Sequence, residues 1–134
     1  MAKVSGLGMA LAVDDSSGTA RTISTDITNM SFGTPRGTTD VTGISSSAME
    51  RLLLLADFTI TLDGPMDTGS NLAHAVLCTV PSSSVTRTVT ITQNSKVLDN
   101  ETIFTDYVVT RGNDGALTFS APGVLNSTVV PTWA

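Results

Sequence analysis

A chain of 134 residues with 40% hydrophobic content is sized for one packed core, a single domain over 1–134. A net charge of −5 speaks against tight nucleic-acid binding, which needs Lys and Arg to displace counterions from phosphates, and a lone cysteine, Cys78, rules out an intrachain disulfide. Only 14% of residues are charged, against about a quarter in ordinary globular chains, while Thr occurs 22 times and Ser 15 times; a surface so poor in charge must be covered by hydroxyls and small apolar groups, which suits burial against other copies of itself.

Taken in chain order, Lys3 precedes the apolar run 6–13, where Ala10-Leu11-Ala12 imitates a signal-peptidase site. The run is short and broken by Gly6 and Gly8, so it predicts a first strand over 7–13 rather than a signal peptide. No stretch approaches the ~20 apolar residues of a membrane span, and no membrane partner is expected. Residues 14–18 read as a turn and 19–32 as a long strand region, with Ile23, Thr25 and Ile27 on one face. The pattern then shifts phase to Met30 and Phe32, a bulge or a break between two strands. Residues 33–39 read as a loop and 40–43 as a short extended piece. Ser47 and Glu50 stand at capping-box spacing before the run Leu52 to Leu55, which allows a helical turn or two to start there. Four consecutive leucines must be buried, in the core or against a neighbour.

The clearest strand is Asp57 to Asp63: Phe58, Ile60 and Leu62 face one way, Asp57, Thr59, Thr61 and Asp63 the other, and Gly64-Pro65 ends it. Residues 70–78 predict a helix capped by Thr68 or Ser70 and stopped before Pro81. From Val85 to Thr92 a second strand places Val85, Arg87, Val89 and Ile91 on one face and Thr86, Thr88, Thr90 and Thr92 on the other. Residues 94–100 read as a turn, 102–111 and 115–121 as a hairpin across Gly112-Asn113-Asp114-Gly115, and 124–133 as an extended arm ending at Trp133. About seven or eight strands and one helix predict a mainly β fold, a two-sheet β-sandwich with one flanking α-helix.

Catalytic signatures are weak. His74 and Cys78 are four apart on the predicted helix, a spacing that can activate a thiolate, but no third member accompanies them, and packing roles are expected. Asp14, Asp15, Asp57, Asp63 and Asp67 follow no calcium-loop pattern, and Asp57 and Asp63 would lie roughly 20 Å apart along a strand. Gly6-Leu7-Gly8 lacks the rest of a phosphate loop, and the basic residues Lys3, Arg21, Arg36, Arg51, Arg87, Lys96 and Arg111 are dispersed. Neither an enzyme nor a metal or cofactor site is expected. The sequons at Asn29, Asn100 and Asn126 are chance matches in a chain this rich in Ser and Thr.

The order of short motifs is more telling: Ile27-Thr28-Asn29-Met30-Ser31-Phe32, then Asp40-Val41-Thr42-Gly43, Ala48-Met49-Glu50-Arg51, and Leu55-Ala56-Asp57-Phe58-Thr59-Ile60-Thr61-Leu62-Asp63-Gly64, followed by a helix, a Val/Thr strand, Phe104-Thr105-Asp106-Tyr107 and Gly115-Ala116-Leu117-Thr118-Phe119. Over residues 20–121 this resembles the major tail tube protein of long-tailed bacteriophages. The resemblance implies hexameric rings of this one chain, stacked into a virion tail tube made in the bacterial host cytoplasm. It also implies a tape-measure protein and tail-end proteins as partners, and viral DNA passing through without specific binding. Residues 33–56 would be an inter-ring loop, with arms at 1–13 and 124–134. Met49, Arg51, Leu52, Leu53, Leu54, Leu55, Val124, Leu125 and Trp133 would be the interface. Asp57, Thr59, Thr61 and Asp63, or Thr86, Thr88, Thr90 and Thr92, would face the lumen. Other virion parts (a capsid decoration or tail terminator), a secretion-system tube and a monomeric β-sandwich binding module are the alternatives.

Overall fold

The computed structural model describes residues 3–134; Met1 and Ala2, the start of the predicted N-terminal arm, lie outside the described residues. Among the described residues the chain is mainly β, with ten strands: β1 (Ala10–Asp14), β2 (Ala20–Thr22), β3 (Asn29–Gly33), β4 (Arg36–Asp40), β5 (Arg51–Ala56), β6 (Thr59–Pro65), β7 (Arg87–Gln93), β8 (Lys96–Phe104), β9 (Val108–Arg111) and β10 (Leu117–Leu125). One short helix, α1 (Ala73–Leu77), lies between β6 and β7. Eight strands form an antiparallel sheet ordered β2-β1-β7-β8-β10-β6-β3, with β9 also on β10. β4 and β5 pair only with each other, so the two predicted sheets are very unequal.

The large sheet has a seam. β7 and β8 pair over seven positions and β10 and β6 over seven, but β8 and β10 over only three, Thr102–Phe104 against Gly123–Leu125. On either side of this narrow join the inward positions are apolar. Leu11, Val13, Val89, Ile91 and Leu98 come from one half, Ile60, Leu62, Phe119 and Ala121 from the other, and all belong to one buried cluster with Phe58, Val76 and Leu77. The sheet thus folds on itself to enclose a core, and the period-2 pattern of Phe58, Ile60 and Leu62 and of Val89 and Ile91 records it.

β10 is continuous through Pro122 and Gly123, which the sequence suggested would end it. Residues 117–120 pair with β9 and 123–125 with β8. The Pro122 carbonyl accepts the Thr105 N–H (3.0 Å) in the gap between them. Nitrogen and carbonyl of one strand residue point the same way, so the N–H that proline lacks also faces this gap, where no strand needs it.

Other expectations need correction. The region 19–32 is broken by a 3-10 turn at Ser24–Asp26, so Ile23 is buried while Thr25 is exposed. Residues 94–100 are not a turn: Asn94 and Ser95, both at positive φ, make a two-residue connection, and β8 starts at Lys96. The strand expected over 102–111 is split by Thr105–Tyr107 into β8 and β9. The helix spans Ala73–Leu77 only, and neither Thr68 nor Ser70 caps it. Asp26 does so from across the molecule, its buried Oδ2 accepting the Ala73 N–H (3.0 Å). Gly64 makes this approach possible: a Cβ there would lie 1.9 Å from the Asp26 carbonyl oxygen.

Candidate assembly surfaces

The inter-ring loop expected over 33–56 is a β-hairpin. β4 and β5 pair as Thr38↔Leu53, Thr39↔Leu52 and Asp40↔Arg51, with a register shift towards Arg36↔Ala56. The Ser47–Glu50 capping box forms no helix, because residues 44–50 supply the bends that turn the hairpin. The Arg36 Nε–H donates to the Leu54 carbonyl (2.9 Å), and the Thr42 hydroxyl joins the two strands below the tip by accepting the Glu50 N–H (2.8 Å). Every residue of β4 and every residue of Leu52 to Leu55 is exposed, on both faces. Val41, Ile44, Met49, Leu52, Leu53, Leu54 and Leu55 are seven of the sixteen exposed large hydrophobic residues among the described residues, which concentrates unburied apolar surface in one protrusion. Fully burying a leucine gains about 1.5–3 kcal/mol, and a bare two-stranded hairpin is marginal in water.

The two sheet faces turned away from the core are hydroxyl-rich and acidic. On β6, Thr59 is exposed and Thr61 and Asp63 half-buried, opposite the buried Ile60 and Leu62. Asp57 precedes the strand instead of belonging to it; its Oδ1 accepts the Phe58 N–H (2.8 Å). Beside β6 stand Asn29 and Ser31 of β3 and Ser120 of β10. On β7, Thr88, Thr90 and Thr92 face outward, while Thr86 lies just before the strand. Thr88 donates to Glu101 and Thr90 to Asp99 (3.5 Å) across the β7–β8 ladder. No Lys or Arg lies among the outward positions of β6 or β7.

The expected C-terminal arm begins later than 124. Val124 and Leu125 are the last rungs of β10, half-buried and paired to β8, so they belong to the body. Beyond them the chain returns to its own sheet. The Trp133 ring lies 6.0 Å from the Phe32 ring, the Trp133 backbone forms an antiparallel bridge with Leu98, and Ala134 exchanges two backbone hydrogen bonds with Val97.

His74 sets its Nδ1 3.0 Å from the Tyr107 hydroxyl, beneath which lies Phe119. Cys78 is exposed. Burial, followed by the nearby Cys78, raises the Tyr107 pKa. No group of three or more His, Cys, Asp or Glu that could hold a metal occurs among the described residues.

Two residues with structural parts were not singled out from the sequence. Arg87, 1% exposed, fills the core beneath α1, where its guanidinium donates to the carbonyls of Asp14 (3.0 Å) and Val76 (2.7 Å) and to the Thr79 hydroxyl (2.9 Å). Desolvation lowers its pKa, the nearby Asp15 charge opposes that, and the carbonyl and hydroxyl acceptors satisfy the buried guanidinium. Its phase with Val89 and Ile91 was the readable signal. Asp26 is 4% exposed. Burial raises its pKa, the Ala73 N–H opposes that, and a hydrogen-bonding Asp67 carboxyl adds to it. Nothing local marked Asp26, since its partners lie some forty residues on.

No family model matches the sequence, and no curated protein sequence matches it. Solved structures do. A chain from the virion of the native gene transfer agent (GTA) particle gives a TM-score of 0.78 at 12% identity, covering 97% of this chain and 99% of that one. A chain from the tail of the empty GTA particle, described with C6 symmetry, gives 0.75 at 16% identity, with 97% and 99% covered. This chain shares the fold of these GTA particle chains. A third neighbour, from the six-fold symmetrised baseplate of the anti-feeding prophage (AFP), gives 0.66 at 9% identity, with 100% and 97% covered. The shared fold therefore extends over 97–100% of the chain.

Proposed function

We propose that this chain is the subunit of a virion tail tube: six copies close into a ring, rings stack, and the tube encloses a tape-measure protein before the genome passes through. The observation that carries the reading is the β4–β5 hairpin, which shows exposed apolar side chains on both faces and, among the described residues, pairs with no other strand. A neighbouring ring would cover Met49, Arg51 and Leu52 to Leu55. The GTA tail's C6 symmetry supports six as the ring number. The outward faces of β6 (Thr59, Thr61, Asp63) and β7 (Thr88, Thr90, Thr92) suit a lumen, because hydroxyls and carboxylates without bases give passing DNA nothing to adhere to. A tail-end or baseplate ring is the second reading, favoured by the AFP neighbour; it differs in that rings would form and not stack.

Negative-stain electron microscopy of the purified protein tests this: tubes support the first reading, isolated rings the second, and a monomer at every concentration neither. Leu53→Asp is expected to abolish stacking while leaving a soluble, folded subunit. If that variant polymerises normally, the hairpin is not the inter-ring contact.

A further inference from the structure

β8 is paired unevenly. One side holds β7 over Lys96–Thr102, but on the other β10 takes only Thr102–Phe104, leaving Lys96–Asn100 without a strand. Such an edge shows unpaired N–H and C=O groups to any passing chain. Here it is closed by two residues of the same molecule, Trp133 and Ala134. The Val97 N–H donates to the Ala134 carbonyl (2.9 Å) and the Ala134 N–H to the Val97 carbonyl (2.8 Å). Trp133 bridges to Leu98 and rests on Phe32 of β3, so these residues also tie the two edges of the folded sheet.

The hold is slight and its tether is loose. Two backbone bonds and one aromatic contact fasten Trp133 and Ala134, and Trp133 remains 49% exposed. The Asn126 N–H is anchored on the Glu101 carbonyl (3.0 Å). Between it and Trp133, the hydrogen bonds among the described residues are local: Val129 N–H to Ser127 Oγ and Thr132 Oγ1 to the Val130 carbonyl. Val130, 62% exposed on this tether, lines a 710 Å³ apolar groove together with Leu53, Leu54 and Leu55 of the hairpin. One swing of the tether would therefore bare both a strand edge and a leucine-lined groove.

We propose that Thr132–Ala134 are an autoinhibitory strap, closed over the β8 edge in the free subunit and released when a second copy of this chain docks there. A second copy fits because the edge asks for an extended strand and the groove for aliphatic side chains, and β5 of another subunit offers both in Leu52 to Leu55. This rests on the assembly reading above and adds a gate to it.

The test is a lock. In a Cys78→Ser background, Val97→Cys and Ala134→Cys stand at a pair that exchanges both hydrogen bonds, where Cα atoms lie about 5.5 Å apart, within disulfide reach. The oxidised protein is expected to stay monomeric by sedimentation and microscopy, and a reductant to restore assembly at the parent's rate. Oxidised protein that assembles as fast as reduced overturns the strap. Removing Thr132–Ala134 gives a second arm: the assembly lag should shorten, and an unchanged or longer lag also counts against the gate. Should the parent chain never associate, the tube reading fails by itself, and amide exchange in the free subunit decides the strap. The Val97 and Ala134 amides should then exchange on the order of tenfold faster than the β7–β8 ladder, and equal protection refutes the proposal. Trp133, the chain's single tryptophan, reports opening by its emission.

Discussion

β5 and β6 are adjacent strands of similar length and both carry leucine, yet burial treats them oppositely. In β6 apolar and polar residues alternate, and Ile60 and Leu62 are sealed in the core while Thr59, Thr61 and Asp63 face out. In β5 four leucines follow one another, and all are exposed. Alternation is the pattern of a strand covered on one face, and an unbroken apolar run that of a strand covered on both. β6 finds its cover within the subunit; β5 has neither of the two layers its sequence calls for. On the assembly proposed above, neighbouring subunits would supply those layers on both sides of the hairpin.

One substitution in the two strands makes the contrast sharp. Leu62→Asp puts a charge where no water reaches, and it is expected to cost more than about 4 kcal/mol, a large fraction of a domain's total stability. Leu53→Asp, at a residue 55% exposed, is expected to stay within about 0.5 kcal/mol of the parent. Urea unfolding of the two variants measures this directly. Comparable losses at both sites would mean that the hairpin already contributes to the subunit's own stability, and the comparison would collapse.

A smaller effect probes how the body holds itself beside the hairpin. Gly64→Ala sets a methyl against the Asp26 carbonyl, so the 3-10 turn or β6 must move, at about 1–3 kcal/mol. Because Asp26 also caps α1, amide exchange at Ala73 should quicken in this variant more than exchange in the distant β1–β2 pair. A uniform change across the molecule would argue against that linkage.

What could be read from sequence follows the same division. Strands buried on one face were legible because their pattern depends on their own residues, although the readings Asp57 to Asp63 and Val85 to Thr92 each start two residues before the strand, and β6 continues through Gly64 and Pro65, which pair with β10 instead of ending it. Misreadings occurred where structure depends on distant partners. The hairpin over 33–56 looked like a loop because its apolar run has no polar alternation. Pro122-Gly123 looked like a strand end because the partner exchange from β9 to β8 is invisible locally. The helix was drawn too long, since its cap, Asp26, arrives from 47 residues upstream. Of the proposed surfaces, the leucine run was legible by its excess, whereas the return of Trp133 onto Phe32 joins residues a hundred positions apart and had no sequence signal.

Asp26 supplies the most delicate test of the body. Its carboxyl is buried, accepts the Ala73 N–H and hydrogen-bonds the Asp67 carboxyl; burial first, then Asp67, raises its pKa above the ordinary 3.8. The folded chain therefore binds this proton more tightly than the unfolded chain does. The stabilisation is complete below the ordinary aspartate range and disappears as pH rises through the folded-state value. Asp26→Asn keeps an oxygen for the Ala73 N–H and cannot ionise beside Asp67. Parent and variant should unfold at matching urea concentrations under acid conditions, and the variant should gain on the parent as pH rises towards neutrality. A difference that stays constant over that range would mean the two carboxyls do not share a proton. The hairpin carries no buried acid, so Leu53→Asp should leave this profile unchanged, and a shift there would show that the protrusion and the body are coupled after all.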